Sequence, residues 1–493
     1  MLLKDKDAKY QKESGVLLHI SSLPGVHGIG SFGSEAYEFL DFLKNSGQKY
    51  WQILPLCPVG KGNSPYSSVS AFAGDILFID LNTLVRDGYL SPDDIKECNF
   101  PEHTDYKAAR SFKLPLIKKA ADNFDIKKRD FKRFLQDNSY WLPDYALFMA
   151  IKEVYHGKSF TELEDGLKYR LPESINRFKE KHAEEILFYE ITQYFFFTQY
   201  FELKAYANNN GIKIIGDIPF YVQLESADVW SNPDIFRLGR DMTPVTVAGV
   251  PPDIFSEDGQ LWGNPIYDWD FQKTNDYAWW RYRLIHNSKL YDVIRIDHFR
   301  AFADYYTSPY GSKTAKCGKW EKGVGMPFWN IMNKSVDADI IAEDLGGDTV
   351  EVENLIKETG FPNMKVLQFA FDSDLNNPFL PKNYDKNCVC YTGTHDNDTT
   401  LGWFLKLSSK EKNMFSHIVP ADESGSVVLS LISFAMKSKA RIVIIPLQDY
   451  LELDSSSRLN TPGVPSGNWE WRLKKEDFNE DLLNTVKRLS AKR

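Results

Sequence analysis

The sequence predicts an α/β fold in which eight parallel β-strands close into a barrel and helices connect them. Two observations support this prediction. Short apolar runs bounded by turn residues recur eight times, with helical segments between them. Acidic residues stand at the ends of four of these runs. Because the carboxyl ends of all strands meet at one mouth of a TIM (β/α)8 barrel, we expect the reactive groups there.

The eight predicted strands are short segments bounded by turn residues. They cover residues 16–23, 50–56, 212–220, 293–299, 339–345, 364–369, 388–394 and 441–448. The fourth is the most informative, because it contains Arg295 and ends on Asp297. Period-two alternation points both side chains to the same face, where unpaired charge would be costly to bury. The end of this strand is therefore a candidate functional site.

Two long connections predict inserts in a single catalytic domain spanning residues 1–493. Residues 57–190 are rich in Lys, Glu and Asp and predict a mostly helical subdomain. Residues 223–290 are dense in Pro, Gly, Trp and Asp and predict a loop-rich subdomain over the cleft. Only a short charged tail follows the eighth predicted helix, so we expect no separate carboxyl-terminal domain.

Composition excludes several classes of protein. The 59 basic and 68 acidic residues give a net charge of −9, and no basic tract is interleaved with aromatic residues, so no nucleic-acid partner is expected. The amino terminus lacks the apolar core of a signal peptide, and no segment reaches the roughly 18 apolar residues of a membrane span. We therefore expect a cytoplasmic protein with no membrane role.

No metal or cofactor is predicted. The five cysteines include no CxxC pair, and Cys388 and Cys390 are expected to be buried thiols on a strand. The nine histidines include no HExxH motif, and Asp372-Ser-Asp374 lacks the rest of a calcium loop. Residues 28–33 match GxGxxG, a motif that suggests a dinucleotide-binding oxidoreductase as an alternative function. The next predicted strand lacks the acidic residue that a ribose needs, so a tight loop at the barrel mouth is preferred.

The ends of four predicted strands carry a shared set of charged side chains. These are Asp217, Arg295 with Asp297, Glu343 with Asp344, and His395 with Asp396. Each acid alone could be a helix cap or a salt-bridge partner. Because four different strands carry them to one mouth, a joint catalytic role is the better interpretation. Three carboxylates with one Arg and one His are typical of glycoside cleavage.

Retaining glycoside cleavage assigns a role to each group. One carboxylate is the nucleophile and a second carboxyl, about 5 Å away, acts as acid and then base, which suits Asp297 and Glu343. Arg295 would keep the nucleophile ionised, and Asp396 would stabilise the transition state. His395, beside Asp396 at the end of a strand, is expected to form a hydrogen bond with substrate. Asp217 remains open between substrate binding and structural contacts around Arg295.

Longer motifs resemble the amylomaltases, the 4-α-glucanotransferases of the α-amylase clan, over nearly the whole chain. Besides RIDHFR (295–300) and AEDLG (342–346), the motifs are GNSPY (62–66), GDIPFYV (216–222), AGVPPD (248–253), GQLWGNP (259–265), THDN (394–397) and GNWEWR (467–472). The resemblance implies a retaining double displacement with Asp297 as nucleophile, Glu343 as acid/base and Asp396 as transition-state stabiliser. It also implies sugar contacts at Tyr66, Gln260, Trp262, Asp372 and Asn468. The implied partners are α-1,4-glucans.

Three questions stay open at the level of sequence. Ile254 replaces an aromatic residue that many relatives carry, which puts chain-length preference and cyclic products in doubt. The acids do not separate a transferase from a hydrolase, because both form the same intermediate. The large inserts favour a dry cleft with a sugar acceptor, and hence transfer. A catalytically silent glucan-binding protein on the same barrel is the remaining alternative.

Overall fold

The computed structural model describes residues 12–252, 256–346, 349–372 and 374–493. These residues form twelve strands, which we number along the chain. They are β1 (Glu13–Leu17), β2 (Tyr50–Gln52), β3 (Lys213–Ile218), β4 (Thr246–Val250), β5 (Gln260–Pro265), β6 (Val293–Ile296), β7 (Asp304–Pro309), β8 (Lys319–Lys322), β9 (Asp339–Ala342), β10 (Asn363–Val366), β11 (Cys388–Tyr391) and β12 (Ile442–Pro446).

Eight of these strands close into a barrel, in the order β1-β12-β11-β10-β9-β6-β3-β2. Every neighbouring pair in the barrel is parallel. The TIM barrel predicted from the sequence is therefore confirmed, and each barrel strand overlaps one predicted run, although β1 shares only residues 16–17 with its run. Most strands end before the predicted run does, because the last residues leave the ladder and enter the loops of the barrel mouth.

In the described ranges, eighteen α-helices surround the barrel or build the long connections. They are α1 (Ser34–Asn45), α2 (Leu81–Arg86), α3 (Tyr106–Asp122), α4 (Arg129–Asp137), α5 (Leu142–Val154), α6 (Asp165–Lys168), α7 (Pro172–Lys181), α8 (Ala183–Asn209), α9 (Ala227–Ser231), α10 (Trp269–Lys273), α11 (Ala278–Leu290), α12 (Gly325–Ser335), α13 (Val350–Thr359), α14 (Thr400–Lys406), α15 (Ser409–Ile418), α16 (Val427–Lys437), α17 (Leu447–Tyr450) and α18 (Glu480–Ser490). None of the helices in the described ranges is long and apolar enough to cross a membrane.

The two long connections differ in architecture. Helices α2 to α8 lie between β2 and β3, and α8 alone spans 27 residues with many buried aromatic side chains. Between β3 and β6 lie α9 to α11 together with β4 and β5. A four-stranded antiparallel sheet in the order β5-β4-β7-β8 joins this second connection to the residues after β6. The sequence predicts a loop-rich subdomain for residues 223–290, and this sheet was not predicted.

The barrel core is apolar, and its strands are buried on both faces. Strand β12 is buried along its whole length, as expected for a parallel sheet covered by helices. Cys388 and Cys390 are 1% and 0% exposed on β11, and both are free thiols. Burial raises the pKa of the Cys390 thiol to about 11, so it is protonated at neutral pH. The prediction of buried thiols is confirmed.

Candidate active site

The predicted catalytic residues lie at the carboxyl ends of barrel strands. Asp217 on β3 is directly opposite Arg295 on β6 in the strand register. Asp297 follows β6 immediately, and Glu343 follows β9 immediately. Asp396 lies in the loop between β11 and α14. The barrel therefore brings groups from four strands to one mouth, as the sequence predicted.

A buried ion cluster forms around Arg295, whose side chain is only 4% exposed. Its Nη1 donates to Asp217 Oδ2 at 2.5 Å and to Asp297 Oδ1 at 3.1 Å. Its Nε contacts Met364 Sδ at 3.3 Å. A guanidinium removed from water needs such paired carboxylates to remain charged. The cluster thus fixes the orientation of the Asp297 carboxylate.

Asp217 connects this cluster to the aromatic wall of the cleft. Tyr66 Oη donates to Asp217 Oδ2 at 2.7 Å, the same oxygen that accepts from Arg295. The Tyr66 ring stacks on His395, with centroids 5.1 Å apart and an interplanar angle of 15°. The Asp217 side chain is fully buried. These contacts favour the structural alternative for Asp217, in which it holds Arg295 and Tyr66 in place.

Glu343 is held by two backbone donors. Its Oε2 accepts from His298 N and its Oε1 accepts from Leu345 N, both at 2.7 Å. The residue is 7% exposed. Burial raises the pKa of Glu343, and the nearby Asp297 carboxylate raises it further, because two adjacent negative charges repel. Glu343 therefore holds a proton well above the usual pH range of a glutamic acid.

Burial also raises the pKa of Asp297, but the Arg295 guanidinium opposes that effect. Arg295 contacts Asp297 directly, whereas Glu343 accepts from backbone amides. Of the two acids, Glu343 is therefore the one that keeps the proton and Asp297 the one that carries the charge. This is the protonation pattern that a retaining glycosidase needs before the first step.

The turn after β6 aims the His298 amide at Glu343. His298 has φ of 53° and ψ of 44°, a left-handed conformation that is uncommon for a residue with a side chain. The short 3-10 helix Phe299–Phe302 follows directly. The His298 ring packs edge-on against Trp262, with centroids 4.9 Å apart. His298 thus both orients Glu343 through its backbone and lines the cleft through its ring.

Asp396 is an ionised acid that also lines the cleft. Its Oδ1 accepts from Asn460 Nδ2 at 2.5 Å and lies 3.3 Å from His395 Nε2. Burial alone would raise the pKa of Asp396, but His395 and the Asn460 hydrogen bond outweigh it and lower the pKa to about 2. The side chain is 45% exposed. A fixed negative charge therefore faces the cleft, where it can stabilise developing positive charge.

Asp297, His298, His395 and Asp396 border a cleft of about 440 Å³. Aromatic side chains form much of its walls, and aromatic faces match the apolar faces of sugar rings. The lining residues are Ser64, Tyr66, Ser67, Pro219, Phe220, Tyr221, Gln223, Gln260, Trp262, Asn264, Asp297, His298, His395, Asp396, Asn460, Pro462, Gly463 and Trp469. The arrangement is suited to binding a chain of sugars across the carboxylates.

Comparison with known proteins agrees with this geometry. The model of glycoside hydrolase family 77, described as 4-alpha-glucanotransferase, matches residues 18–477. The chain belongs to the 4-alpha-glucanotransferase family. A 4-alpha-glucanotransferase of Clostridium butyricum is 46% identical over 480 residues, which are 96% of this chain and 99% of that protein. The chloroplastic enzyme DPE1 of Arabidopsis thaliana is 40% identical over 98% of this chain and 85% of its own length.

Solved structures lead to the same family. Amylomaltase from Streptococcus agalactiae in complex with acarbose superposes with a TM-score of 0.93 at 41% identity, covering 97% of this chain and 99% of that one. Amylomaltase from Corynebacterium glutamicum has a TM-score of 0.78 at 18% identity, over 97% of this chain and 75% of that one. At that identity the second structure shows the shared fold only.

Several family positions lie where the sequence predicted them. Tyr66, Gln260, Trp262 and His395 line the cleft together with Asp297 and Asp396. Arg295, Asp217 and Glu343 lie next to them through the contacts described above. The roles of these residues in binding sugar stay predictions. Ile254, which raised the question of chain-length preference, lies outside the described residues.

Two predicted sugar contacts are not among the described residues that line the cleft. Asp372 is exposed, and its Oδ1 accepts from Asp374 N at 3.0 Å. Asn468 closes the loop before it: its Oδ1 accepts from Thr461 N, and its Nδ2 donates to Val464 O, both at 2.8 Å. In this geometry both side chains shape loops. Their contacts with sugar stay predictions that would need those loops to approach the substrate.

Other cleft residues were not predicted. Asn460 orients Asp396, and Trp469 packs on Tyr66 with centroids 5.9 Å apart. Tyr221 also lines the cleft. Tyr221 and Trp469 lie in motifs quoted above, so membership of a motif was the available signal for them, whereas Asn460 lies in none of those motifs. The residue type alone does not show whether an Asn or a Trp in a loop lines the cleft or packs against other parts of the protein.

The two acids predict how transfer depends on pH. The free enzyme needs Asp297 ionised and Glu343 protonated, so activity falls at low pH as Asp297 gains a proton and at high pH as Glu343 loses one. Because burial and the neighbouring Asp297 carboxylate raise the pKa of Glu343, we expect the alkaline limb of kcat/KM well above the ordinary glutamate value of about 4.3. Initial rates with maltotriose from pH 4 to 10 would measure it. Activity that already declines from pH 5 upward would contradict the assignment.

Proposed function

We propose that the protein transfers α-1,4-glucan segments from a donor maltodextrin to the 4-hydroxyl of glucose or of another glucan. The observation that carries this proposal is the pairing of a charge-stabilised Asp297 with a buried, proton-holding Glu343. Membership of the 4-alpha-glucanotransferase family supports it. The substrates are neutral, which fits a cleft walled by aromatic and hydroxyl groups.

The first step breaks the donor glycosidic bond. An Asp297 oxygen attacks the anomeric carbon, and Glu343 gives its proton to the glycosidic oxygen as that bond breaks. The reducing-end fragment leaves as an alcohol, and the remaining glucan is bound to Asp297 as a glycosyl ester. Asp396 stays ionised throughout and stabilises the oxocarbenium-like transition state, while Arg295 orients the nucleophile.

The second step reverses these roles. Glu343, now ionised, takes the proton of the acceptor 4-hydroxyl, whose oxygen attacks the anomeric carbon. The bond to Asp297 breaks, and the carboxylate is restored beside Arg295. Two inversions give net retention, so the new linkage is again α-1,4. One bond of the same kind is broken and one is formed, so no cofactor enters the balance.

The cleft favours a sugar over water as acceptor. Trp262 and Tyr221 form an aromatic surface beside Asp297, and their rings are 6.2 Å apart. A sugar that stacks there excludes water and places its hydroxyl next to the intermediate. Hydrolysis uses the same acids but needs no such surface. We therefore favour disproportionation over hydrolysis.

Incubation with maltotriose tests this proposal. Transfer should produce glucose and a ladder of longer maltodextrins, with little change in total reducing ends, because each cycle breaks and forms one bond. Chromatography of the products and a reducing-sugar assay measure both quantities. A steady rise in reducing ends without longer products would instead establish a hydrolase. Glucan binding with no new products would establish the catalytically silent alternative.

The location of the enzyme in the cell stays a prediction. The sequence favoured the cytoplasm, and the Arabidopsis relative is described as chloroplastic or amyloplastic. Fractionation of the source cells would decide between these compartments.

A further inference from the structure

A second groove lies outside the catalytic cleft, between α5, α9 and α11. Its volume is about 200 Å³. Its lining residues are all different from those of the cleft. The mechanism above uses none of them. The groove is therefore a separate feature of the helical and loop-rich connections.

Aromatic rings form the walls of this groove. Tyr140 and Tyr282 stack on each other, with centroids 5.3 Å apart and an interplanar angle of 21°. Phe72 packs edge-on against both Tyr140 and Trp279, at 5.7 and 5.9 Å. Tyr282 is 47% exposed, so its ring is available to a ligand. A stacked pair on a fixed base presents a flat aromatic surface to solvent.

Hydrogen bonds hold the buried end of this surface rigid. His286 Nε2 is 2.9 Å from Phe72 O, and its Nδ1 is 2.7 Å from Tyr140 Oη. Burial lowers the pKa of His286 to about 3, so the ring is neutral. A carbonyl only accepts, so Nε2 carries the proton and Tyr140 Oη donates to Nδ1. The Tyr140 ring is therefore fixed before any ligand arrives, which lowers the entropy lost on binding.

Polar groups at the groove favour a neutral, hydroxyl-rich ligand. Asp144, Asn232 and Asn275 supply carboxylate and amide groups at its edge. Asp144 Oδ1 accepts from Arg170 Nη2 at 2.5 Å, which holds that carboxylate in place. Among the described residues that line the groove, none is Lys, Arg or His. A phosphate or carboxylate ligand would meet negative charge there, whereas sugar hydroxyls can donate to it.

The groove and the catalytic cleft share a wall. Ser67 and Gln223 line the cleft, whereas Ser70 and Ala227 line the groove, three and four residues further along the same two segments. The segments are joined where Ala227 N donates to Val69 O at 2.8 Å. An extended chain advances at most about 3.6 Å per residue, so the two sites are roughly 14 Å apart or less along this wall.

We propose that this groove is a second binding site for α-1,4-glucan, which holds a distant part of the polymer or another chain near the catalytic cleft. The inference rests on the glucan substrate proposed above. A chain that engages both sites gains apparent affinity through effective concentration, whereas a short oligosaccharide reaches only one. The groove therefore favours long glucans without taking part in the chemistry.

Affinity electrophoresis in native gels containing soluble starch tests the proposal. Tyr282→Ala removes the exposed ring, and we expect the apparent dissociation constant for starch to rise at least about 3-fold. Tyr282→Phe keeps the ring and should migrate like the wild type. Tyr310→Ala is the matched control, because Tyr310 is 48% exposed and lines neither cavity. Equal retardation of wild type and Tyr282→Ala would overturn the proposal.

Kinetics separate this site from the catalytic one. In Tyr282→Ala the KM for amylose should rise at least about 3-fold, with kcat and all maltotriose parameters unchanged. An equal loss with maltotriose would overturn the proposal, because it would show damage to the cleft. The two proposals can also fail separately. If the wild type showed no transferase activity, but starch still retarded it more than Tyr282→Ala, the proposed transferase function would be wrong and the second glucan-binding site would be supported.

Discussion

Replacing Asp297 with Asn is expected to reduce transfer from maltotriose by about 10⁴-fold or more, since the variant has no carboxylate to form the glycosyl ester. The substituted amide has the shape of the carboxylate, so the cleft keeps its form. Arg295 keeps Asp217 as an ion-pair partner at 2.5 Å, so the buried cation is not left alone. Stopped assays of glucose release, with long incubation and high enzyme concentration, would measure the residual rate.

Binding and folding should survive this change. The dissociation constant of maltoheptaose, measured by calorimetry, should stay within about 3-fold of the wild type, because the aromatic walls are untouched. Asp258→Asn is a suitable control: Asp258 is an exposed acid that pairs with Lys316 at 2.7 Å, and its loss should leave activity unchanged. Transfer by Asp297→Asn at a rate near that of the wild type would remove Asp297 from the role of nucleophile.

The barrel could be predicted because its strands are simple in sequence. Each is a short apolar run, and a charged or turn residue marks the point where the chain reaches the mouth. The pair Arg295 and Asp297 shows why this works: two charges on one face of a buried strand have few structural uses. Their contact at 3.1 Å follows directly from period-two alternation.

The antiparallel sheet could not be predicted in the same way. Strand β5 has the sequence QLWGNP, which contains Gly, Asn and Pro and lacks clear alternation. Its partner β4 pairs in turn with β7, which lies after the next barrel strand. Such strands are stabilised by partners distant in the chain, so local sequence carries little of the signal. For the same reason the role of Asn460 could not be predicted, because its hydrogen-bond partner Asp396 lies 64 residues away in the chain.

The buried cluster at Arg295 also explains how two similar acids acquire different protonation states. Asp297 shares the guanidinium with Asp217, whereas Glu343 has backbone amides as partners. Full positive charge stabilises a carboxylate more strongly than an amide dipole does. The sequence identified both acids, but only the contacts show which one keeps its proton.

Replacing Glu343 with Gln is expected to reduce transfer between maltodextrins by about 10²- to 10⁴-fold. The variant has no acid to protonate the leaving oxygen and no base to deprotonate the acceptor hydroxyl. The residual activity should also lose the alkaline limb of its pH profile. A Gln amide can accept from only one of the two N–H groups that Glu343 accepts from. The free energy of unfolding should therefore fall by about 1–3 kcal/mol, which thermal unfolding would measure.

An activated donor distinguishes lost catalysis from this loss of stability. Fluoride leaves without protonation, so α-maltosyl fluoride should restore the first step in Glu343→Gln, while the second step stays slow for want of a base. The glycosyl ester then accumulates, and mass spectrometry of peptides should find maltose attached to the peptide that contains Asp297.

Glu353→Gln is the matched control, since Glu353 is an exposed acid on α13 that pairs with Lys357 at 3.4 Å. It should turn over maltotriose normally and accumulate no ester. An adduct on the peptide that contains Asp396 would instead make Asp396 the nucleophile in place of Asp297. Full activity of Glu343→Gln toward maltotriose would exclude Glu343 as the acid/base.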